Sequence, residues 1–473
     1  MVLSVSSHET TDLRARSARA VQDLCQWAVS ASAKPLPETI RARAALVLLD
    51  DLGAMVAASQ EPEVTATRQR AAAKSRAQEA TVFGPEVMQL DRLQAATANG
   101  MAAAWCELDE GYRLAPCHAG AYVLPTLLAE AEARDLSCEQ LLMMLAVGYE
   151  VTARFARAFP FPAMTVHPHA AFATVGATVA SALAQRLDAQ TFLKALTGAC
   201  SMSFAGPYRH AVDGALVRNA WTAASPSIAT LSVEWAQDGI GGIAETPYDV
   251  FSTCFHTACD PDQLNAGLGE VWAIADGYHK VFACCQYAHA MLEASLSLHE
   301  QLGISARANI AAIEIETHPR GLTLTGTKPE NVLAAQFSMP HAAAAVAVLA
   351  TGGQAAFSAA ALARDDIAAL RDHVTLKPYE PLAPWPNDRP SRVTWIMSDG
   401  TRHTAEKINA RGGADQPFDE ATLLGKLAEN TASLFPAMAG VLTALLHREQ
   451  GVELMPWRES VRRMTASRVS EKV

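Results

Sequence analysis

Apolar residues recur every three to four positions along most of the first half of the chain. Residues 37–59, PETIRARAALVLLDDLGAMVAAS, begin with a proline at a plausible helix start and keep that spacing, which is typical of a packed helix. Proline- and glycine-containing loops such as AFPFPAM and DGIGG separate the periodic segments. The pattern predicts an all-α region up to about residue 265. Four more segments share it: TLLAEAEARD, CEQLLMMLAVGYEVTARFARA, FATVGATVASALAQRL and QTFLKALTGACSMSF.

The periodicity changes near residue 270. VWAIADGYHKVF, NIAAIEIETH and SRVTWIMSDGTRHTA are rich in β-branched residues and alternate over short runs, which predicts strands. MSDGTR places an Asp-Gly pair between two such runs and predicts a β-hairpin. Helical segments around 288–301 and 342–350 lie between the strands, so this part is predicted to be α+β. AAAAVAVLATGG is interpreted as a buried helix that ends at Gly352 and Gly353.

Helical periodicity returns after about residue 405, in DEATLLGKLAENTASLFPAMAGVLTALLHRE. Just before it, LKPYEPLAPWPNDRPS carries five prolines in sixteen residues and is predicted to be a loop. The predicted fold class is therefore mainly α. Its parts are an all-α helical domain of residues 1–265, completed by 406–473, and an α+β domain of residues 266–405.

Composition excludes some classes of function. Charged residues make up 18% of the 473 residues and the formal net charge is −11, which argues against nucleic acid, since such binding needs clustered Lys and Arg. A small anionic substrate stays compatible with this charge, because a local pocket can be positive in an acidic protein. No run of about 18 apolar residues occurs, so we expect no membrane span.

The nine cysteines do not suggest a disulfide framework. Their odd number in a long chain, and an N-terminus without an apolar signal segment, favour reduced, buried thiols and a cytoplasmic location. The length suggests more than one hydrophobic core.

The densest group of polar residues lies in residues 99–125, NGMAAAWCELDEGYRLAPCHAGAYVLP, between two apolar runs. Functional groups tend to sit on short irregular segments held by a rigid scaffold, so this loop is the first candidate for a site. It offers acids, a possible base and a cation: Glu107, Asp109, Glu110, Tyr112, Arg113 and His118.

This stretch resembles the signature of the MmgE/PrpD family, which includes 2-methylcitrate dehydratases, cis-aconitate decarboxylases and iminodisuccinate epimerases. The resemblance continues in order over nearly the whole chain. It is carried by GYEVTARFARA, VHPHAAFATVGA, DGALVRNAWTAAS, HKVFACCQYAHA, QFSMPHAAA and RVTWIMSDGTRH. It implies that the chain's end rejoins the helical domain, that the α+β domain forms a lid over it, and that the protein is a homodimer.

The resemblance also implies roles for individual residues. His118 and His167 match the family's two histidines and are expected to transfer protons. Lys280 matches a family lysine, and Glu107 and Asp109 match its acidic positions, although the family more often has Asp at the first and Thr at Gly111. On the residues alone, a structural histidine bonded to a loop carbonyl is the preferred interpretation of His118, and the resemblance reverses that preference. The acids, taken alone, could form a solvated helix end.

Arg218 stands where the family most often has a catalytic lysine. Arginine keeps the charge and binds carboxylates through two N–H groups, but it cannot act as a base. We therefore expect Arg218 to anchor a substrate carboxylate, with Arg113, Tyr112 and His289 as weaker candidates for substrate contact.

No metal site is predicted. His167 and His169 form an HxH pair, but neither an HExxH motif nor a second ligand cluster accompanies it, and His169 is expected to pack in its loop. GIGG follows a helix and is no dinucleotide fingerprint.

The predicted function is a cofactor-independent lyase that acts on a small di- or tricarboxylate, by dehydration or decarboxylation. Two alternatives stay open: an epimerase on a similar substrate, and an inactive family member that binds carboxylates.

Overall fold

The computed structural model describes residues 7–466. Helices dominate, and the prediction of a mainly α fold is confirmed. The helices in this part of the chain are α1 Ser7–Ala31, α2 Glu38–Ala58, α3 Pro62–Lys74, α4 Arg92–Ala103, α5 Ala119–Ala133, α6 Cys138–Ala158, α7 Pro168–Ala184, α8 Ala189–Ser201, α9 Arg209–Val212, α10 Val217–Gln237, α11 Asp262–Asn265, α12 His289–Leu302, α13 Val332–Gln336, α14 Met339–Leu349, α15 Gln354–Phe357, α16 Ala359–Leu362, α17 Asp365–Arg371, α18 Glu420–Thr431, α19 Met438–Leu446 and α20 Trp457–Thr465.

Eight strands form three small sheets within the described residues. The largest sheet has the order β6-β5-β7-β8, in which β5 pairs parallel with β6 and antiparallel with β7. The predicted hairpin is present, with Ile396 opposite Arg402 across the Asp-Gly turn. The strands are β1 Ala80–Val82, β2 Met88–Leu90, β3 Gly111–Tyr112, β4 Gly277–Tyr278, β5 Ile310–Thr317, β6 Val374–Pro378, β7 Ser391–Met397 and β8 Arg402–Lys407.

Glycines allow the helices of the first half to pack closely. A Cβ at Gly176 of α7 would lie 2.7 Å from the Cβ of Tyr122 on α5, and one at Gly100 of α4 would lie 2.7 Å from the Thr222 carbonyl oxygen on α10. Separations this short require glycine. One apolar core runs from these helices into the sheet, and α18 packs back against α2. The domain boundaries at residues 265 and 405 stay a prediction.

Several local predictions need correction. β1 and β2 form a short hairpin inside the region predicted to be all-α; it is held by Glu132 of α5, which accepts hydrogen bonds from the Thr81 backbone and hydroxyl. VWAIADGYHKVF contributes only the two-residue β4, because residues 273–276 form a 3₁₀ turn. The first three residues of the predicted proline-rich loop, 376–378, belong to strand β6.

The alanine-rich helix also ends earlier than predicted. Its last residue is Leu349, and Ala350 takes a left-handed conformation with φ 54° before the two glycines. No helix among residues 7–466 is long and apolar enough to cross a bilayer. All nine cysteines are free; seven of them are buried, whereas Cys254 is exposed and Cys259 is half-buried.

Candidate active site

The acidic loop between α4 and α5 is anchored by a short pairing with a distant segment. β3 pairs antiparallel with β4, with Gly111 opposite Tyr278, and this brings Lys280 under the loop. A side chain at position 111 would clash with Tyr278, whose hydroxyl lies 2.5 Å from where a Cβ would be. Gly111 is therefore required by this packing. The threonine more common in the family cannot occupy this position without moving Tyr278.

Glu107 adopts a left-handed backbone with φ 52°. A non-glycine residue in this region costs about 1–2 kcal/mol, and such strain persists only where the surrounding structure holds it. Here the side chain is held by two cations: the Arg218 guanidinium contacts Glu107 Oε1, and Lys280 Nζ lies 3.3 Å from Oε2. The strain and the pairing together fix this carboxylate in a single position.

Lys280 and Asp109 form a buried ion pair behind the loop. Lys280 Nζ lies 3.2 Å from Asp109 Oδ1, and neither side chain is exposed. Burial disfavours the ammonium, but Asp109 and Glu107 outweigh it and raise the pKa of Lys280 above its usual value. Burial likewise acts against the Asp109 carboxylate, yet Lys280 and His118 hold its pKa below the usual range. Both groups stay charged, so Lys280 is fitted to stabilise charge rather than to act as a base.

His118 contacts the Asp109 carboxylate and faces a cavity. Its Nδ1 lies 2.9 Å from the Glu110 carbonyl oxygen and 2.7 Å from Asp109 Oδ2; the first contact has hydrogen-bond geometry, whereas the second is an ion-pair distance at a poorer angle. Two acceptors at Nδ1 place the ring proton there. No described residue hydrogen-bonds Nε2, and the side chain is 15% exposed. An oriented imidazole with a free Nε2 can accept a proton.

Two further histidines lie beside His118. The His169 ring is 5.1 Å from that of His118 and 4.5 Å from that of His167. His167 Nε2 is 3.2 Å from Arg218 Nε, and His169 Nδ1 is 2.7 Å from the Tyr122 hydroxyl. Burial and the nearby Arg218 lower the pKa of both His167 and His169 well below the usual value. Both rings are therefore neutral at pH 7, and His169 belongs to this cluster rather than only packing in its loop.

The cavity combines predicted and unpredicted residues. Of the predicted set, its lining contains Glu107, Tyr112, His118, His167 and Arg218. Sequence analysis missed four polar or charged residues that line it: Tyr208, Tyr278, Gln286 and Arg389. Tyr278 lies two residues before Lys280, and this proximity could have identified it as a site residue. Arg389 lies in the proline-rich segment, where no sequence pattern distinguishes a functional residue from its neighbours. Tyr287 also lines the cavity.

Arg113 and His289, predicted to contact substrate, lie outside this lining. Arg113 donates to Asn409 Oδ1 at 2.7 Å, to Asp388 Oδ1 at 2.6 Å and to the Pro386 carbonyl oxygen at 2.9 Å. Its donors thus join the acidic loop to the strand-containing part of the chain. His289 Nε2 lies 3.2 Å from the Cys284 carbonyl oxygen, and burial, with Lys280 nearby, lowers its pKa to about 3. Arg113 and His289 therefore bind other groups of the protein and do not contact the cavity.

A second pair of buried carboxyls lies next to His118. Asp51 Oδ1 accepts a hydrogen bond from the Glu110 backbone at 2.9 Å, and Glu110 accepts from Gly120 N–H and the Tyr149 hydroxyl. A Cβ at Gly120 would lie 2.3 Å from Asp51 Oδ2 and 2.8 Å from Glu110 Oε1, so only glycine leaves room for both. Burial raises the pKa of Glu110 to about 7, and that of Asp51 well above its usual value.

This pair predicts a pH dependence of stability. The pKa of Glu110 is higher in the folded chain than its ordinary value of 4.5. Its contribution therefore favours folding below pH 4.5 and is lost as pH rises towards about 7. We expect Glu110→Gln, which cannot titrate, to flatten this decline in the free energy of unfolding measured by urea titration. Glu63→Gln, at an exposed position, is the control; equal pH profiles for the two variants and the wild type would contradict the assignment.

Sequence comparisons agree with this architecture. The model of the MmgE/PrpD N-terminal domain matches residues 22–263, and that of the MmgE/PrpD C-terminal domain matches residues 282–445. The chain belongs to the MmgE/PrpD family. The resemblance found in the sequence is thus confirmed, and the two family domains cover most of the chain.

Curated relatives of this MmgE/PrpD protein are distant. A cis-aconitate decarboxylase-like protein, oryM, of Aspergillus oryzae is 24% identical over 65% of this chain and 68% of its own length. A cis-aconitate decarboxylase of Aspergillus terreus is 22% identical over 68% of this chain and 69% of its own length. Family and relatives together support an enzyme of the dehydratase or decarboxylase type. Among the described residues, no group of three or more His, Cys, Asp or Glu is arranged to hold a metal ion.

Proposed function

We propose that this protein is a cofactor-independent lyase that acts on a small di- or tricarboxylate by proton transfer at a carbon next to a carboxylate. The observation that carries the proposal is His118, held at Nδ1 by Asp109 and the Glu110 carbonyl, with its free Nε2 at a cavity that Arg218 also lines. A base beside a fixed cation is what this chemistry requires.

In the proposed reaction, His118 Nε2 accepts the proton and the electron pair left on carbon delocalises into the adjacent carboxylate. Arg218, which lines the cavity, stabilises the charge that develops, and Lys280, buried outside the lining, acts through Glu107 and Asp109, which it holds in place. Expulsion of a β-hydroxyl, which leaves as water after protonation, completes a dehydration. In a decarboxylation no proton is first removed from carbon: the C–C bond to a carboxylate breaks, CO₂ leaves, its bonding electron pair stays on the organic fragment, and His118, which enters this reaction protonated, gives its proton to the carbon that carries the pair. The names of the relatives favour decarboxylation of cis-aconitate as the first substrate to test.

The test is incubation of the protein in D₂O with cis-aconitate, citrate and 2-methylcitrate, followed by NMR. A lyase yields a dehydrated or decarboxylated product that carries deuterium at carbon wherever the enzyme reprotonates it. Deuterium exchange with inversion and no new product would indicate an epimerase. Neither exchange nor product would contradict an enzyme acting on this panel and would favour the carboxylate-binding alternative.

The role of Arg218 can be separated from proton transfer. Arg218 contacts Glu107, and its Nη1 donates to Asn219 Oδ1 at 2.9 Å. If Arg218 only binds the substrate carboxylate and stabilises charge, Arg218→Lys should keep substantial activity. It should weaken substrate binding by about 1–2 kcal/mol, because lysine cannot bind a carboxylate through two parallel N–H groups. Arg218→Ala should lose more, in both substrate affinity and turnover. Steady-state kinetics would measure this; unchanged kinetics of Arg218→Ala would remove Arg218 from the site.

A homodimer is also proposed, as family membership suggests. Leu231 and Trp235 lie four residues apart on α10 and are exposed, as are Ile240 and Ile243 just beyond it, and an exposed apolar patch of this kind is typical of an interface. We expect light scattering to show a dimer at micromolar concentration and Trp235→Glu to shift it to a monomer. Trp385→Glu, at an exposed tryptophan far along the chain, should leave the dimer intact. A monomeric wild type would disprove the proposal.

A further inference from the structure

Arg389 enters the cavity from the strand-containing part of the chain. It stands between β6 and β7, two residues before β7 begins, and only 6% of it is exposed. Its guanidinium lies 5.1 Å from the centre of the Tyr287 ring, and Nη1 donates to the Gln286 side-chain oxygen. Gln286 and Tyr287, just before α12, line the same cavity.

Within residues 7–466, no carboxylate lies within hydrogen-bond distance of this guanidinium. The nearest carboxylate oxygen among the described residues is Asp388 Oδ2, 3.8 Å from Arg389 Nε, and the Asp388 carboxylate is already bound by Arg113 at 2.6 Å. Arg389 Nε is buried and has no hydrogen-bond partner in the described part of the chain. Of the five N–H donors of this side chain, one donates to an acceptor there, the Gln286 side-chain oxygen.

Arg218, in the same cavity, is a guanidinium whose charge and N–H donors are bound by other groups of the protein. It contacts the Glu107 carboxylate and donates to His167 Nε2, Asn219 Oδ1 and the Ala104 carbonyl oxygen. A buried cation without such partners is costly, because its lost hydration is not replaced. Spare donors on a buried guanidinium therefore indicate an anion that is supplied from outside the chain.

We propose that Arg389, with the Gln286 amide beside it, is a subsite for a second carboxylate of the substrate. The inference rests on the proposed function, since it takes the reacting end of the substrate to lie at His118 and Arg218. A planar guanidinium binds a carboxylate through two parallel N–H groups. The subsite selects molecules with at least two carboxylates and rejects monocarboxylates of similar size.

The test measures binding rather than turnover. Thermal shift and calorimetry are run with cis-aconitate, tricarballylate, succinate and maleate, and with the monocarboxylates crotonate and butyrate. The variants are Arg389→Met, Arg389→Lys and, as the matched control, Arg320→Met. Arg320 is an exposed arginine that contacts the same Tyr287 ring, 5.8 Å from its centre, and lies outside the cavity lining.

We expect the wild type to bind at least one of the four polycarboxylates in preference to the monocarboxylates. Arg389→Met should weaken that binding by about 10- to 100-fold, as for a lost hydrogen bond to a charged group. Arg389→Lys should retain part of it, and Arg320→Met should bind as the wild type does. Without ligand, Arg389→Met should melt at or above the wild-type temperature, because an unmatched buried charge is removed; a purely structural arginine would instead lower it.

Three results would overturn the subsite: no polycarboxylate binding by the wild type, equal binding by Arg389→Met and the wild type, or equal weakening by Arg320→Met. The two proposals fail separately. Polycarboxylate binding that depends on Arg389, with no product and no deuterium exchange, would support the subsite and contradict the lyase. Turnover unaffected by Arg389→Met would support the lyase and contradict the subsite.

Discussion

His118→Ala is expected to lower turnover by about 10²- to 10⁴-fold, the usual contribution of a general acid or base. The side chain offers its free Nε2 to the cavity while Asp109 and the Glu110 carbonyl hold Nδ1. Its removal takes away the proton acceptor and leaves the cations of the site in place. Substrate affinity should therefore change much less than turnover, which steady-state and single-turnover kinetics would separate.

The matched control is His447→Ala. His447 is 42% exposed and pairs with Glu420 on the surface, so its loss should leave kinetics unchanged. Asp109→Asn supplies a second check: it keeps the shape of the Nδ1 contact but removes its charge, and it should lower turnover as well. A His118→Ala protein with wild-type turnover would show that another group accepts the proton, and the proposed mechanism would be wrong.

Lys280→Met is expected to destabilise the fold by about 3–5 kcal/mol, the cost of breaking a buried ion pair by removal of one partner. Lys280 is fully buried between Glu107 and Asp109. Methionine fills similar space, but among the described residues it leaves Glu107 paired only with Arg218 and leaves Asp109 in contact with the His118 ring instead of a lysine. The free energy of unfolding from urea titration would measure the loss.

Lys377→Met is the matched control for this prediction. Lys377 pairs with Glu314 at 3.2 Å and is 55% exposed, and an exposed pair of this kind is worth about 0–1 kcal/mol. Adding Asp109→Asn to Lys280→Met should recover part of the stability, because the carboxylate that lost its lysine partner is replaced by a neutral amide. Equal losses for Lys280→Met and Lys377→Met would refute the claim that the buried cluster depends on this cation.

Local patterns predicted the parts of the fold that depend on local contacts. Helices such as α2 and α6 follow from three-to-four spacing, and the β7-β8 hairpin follows from Asp399-Gly400, where Gly400 has φ 86°. The β1-β2 hairpin was missed because its strands have three residues each and depend on Glu132 of a later helix. So short an element carries too little periodicity to be recognised.

Motif resemblance named five residues that line the cavity, Glu107, Tyr112, His118, His167 and Arg218, but not their functions within it. Resemblance alone offered Lys280 as a catalytic group; only the two carboxylates that flank it show that its charge is fixed. Arg113 and Arg389 illustrate the same limit. Both are arginines in polar segments, and nothing nearby in sequence shows that the first pairs with the Asp388 carboxylate and Asn409 while the second has the Gln286 side-chain oxygen as its acceptor.

The sequence by itself determined the family, the mainly α class and the set of charged and histidine residues available for chemistry. Tertiary structure decided which of them meet. Lys280 lies 171 residues from Asp109, and Arg389 lies 103 residues from Gln286. Periodicity and propensity act over a few residues, whereas the pKa of a buried group depends on every charge within several ångströms, whatever its place in the chain. The protonation of Glu110, the permanent charge of Lys280 and the unmatched guanidinium of Arg389 are therefore properties of the folded molecule.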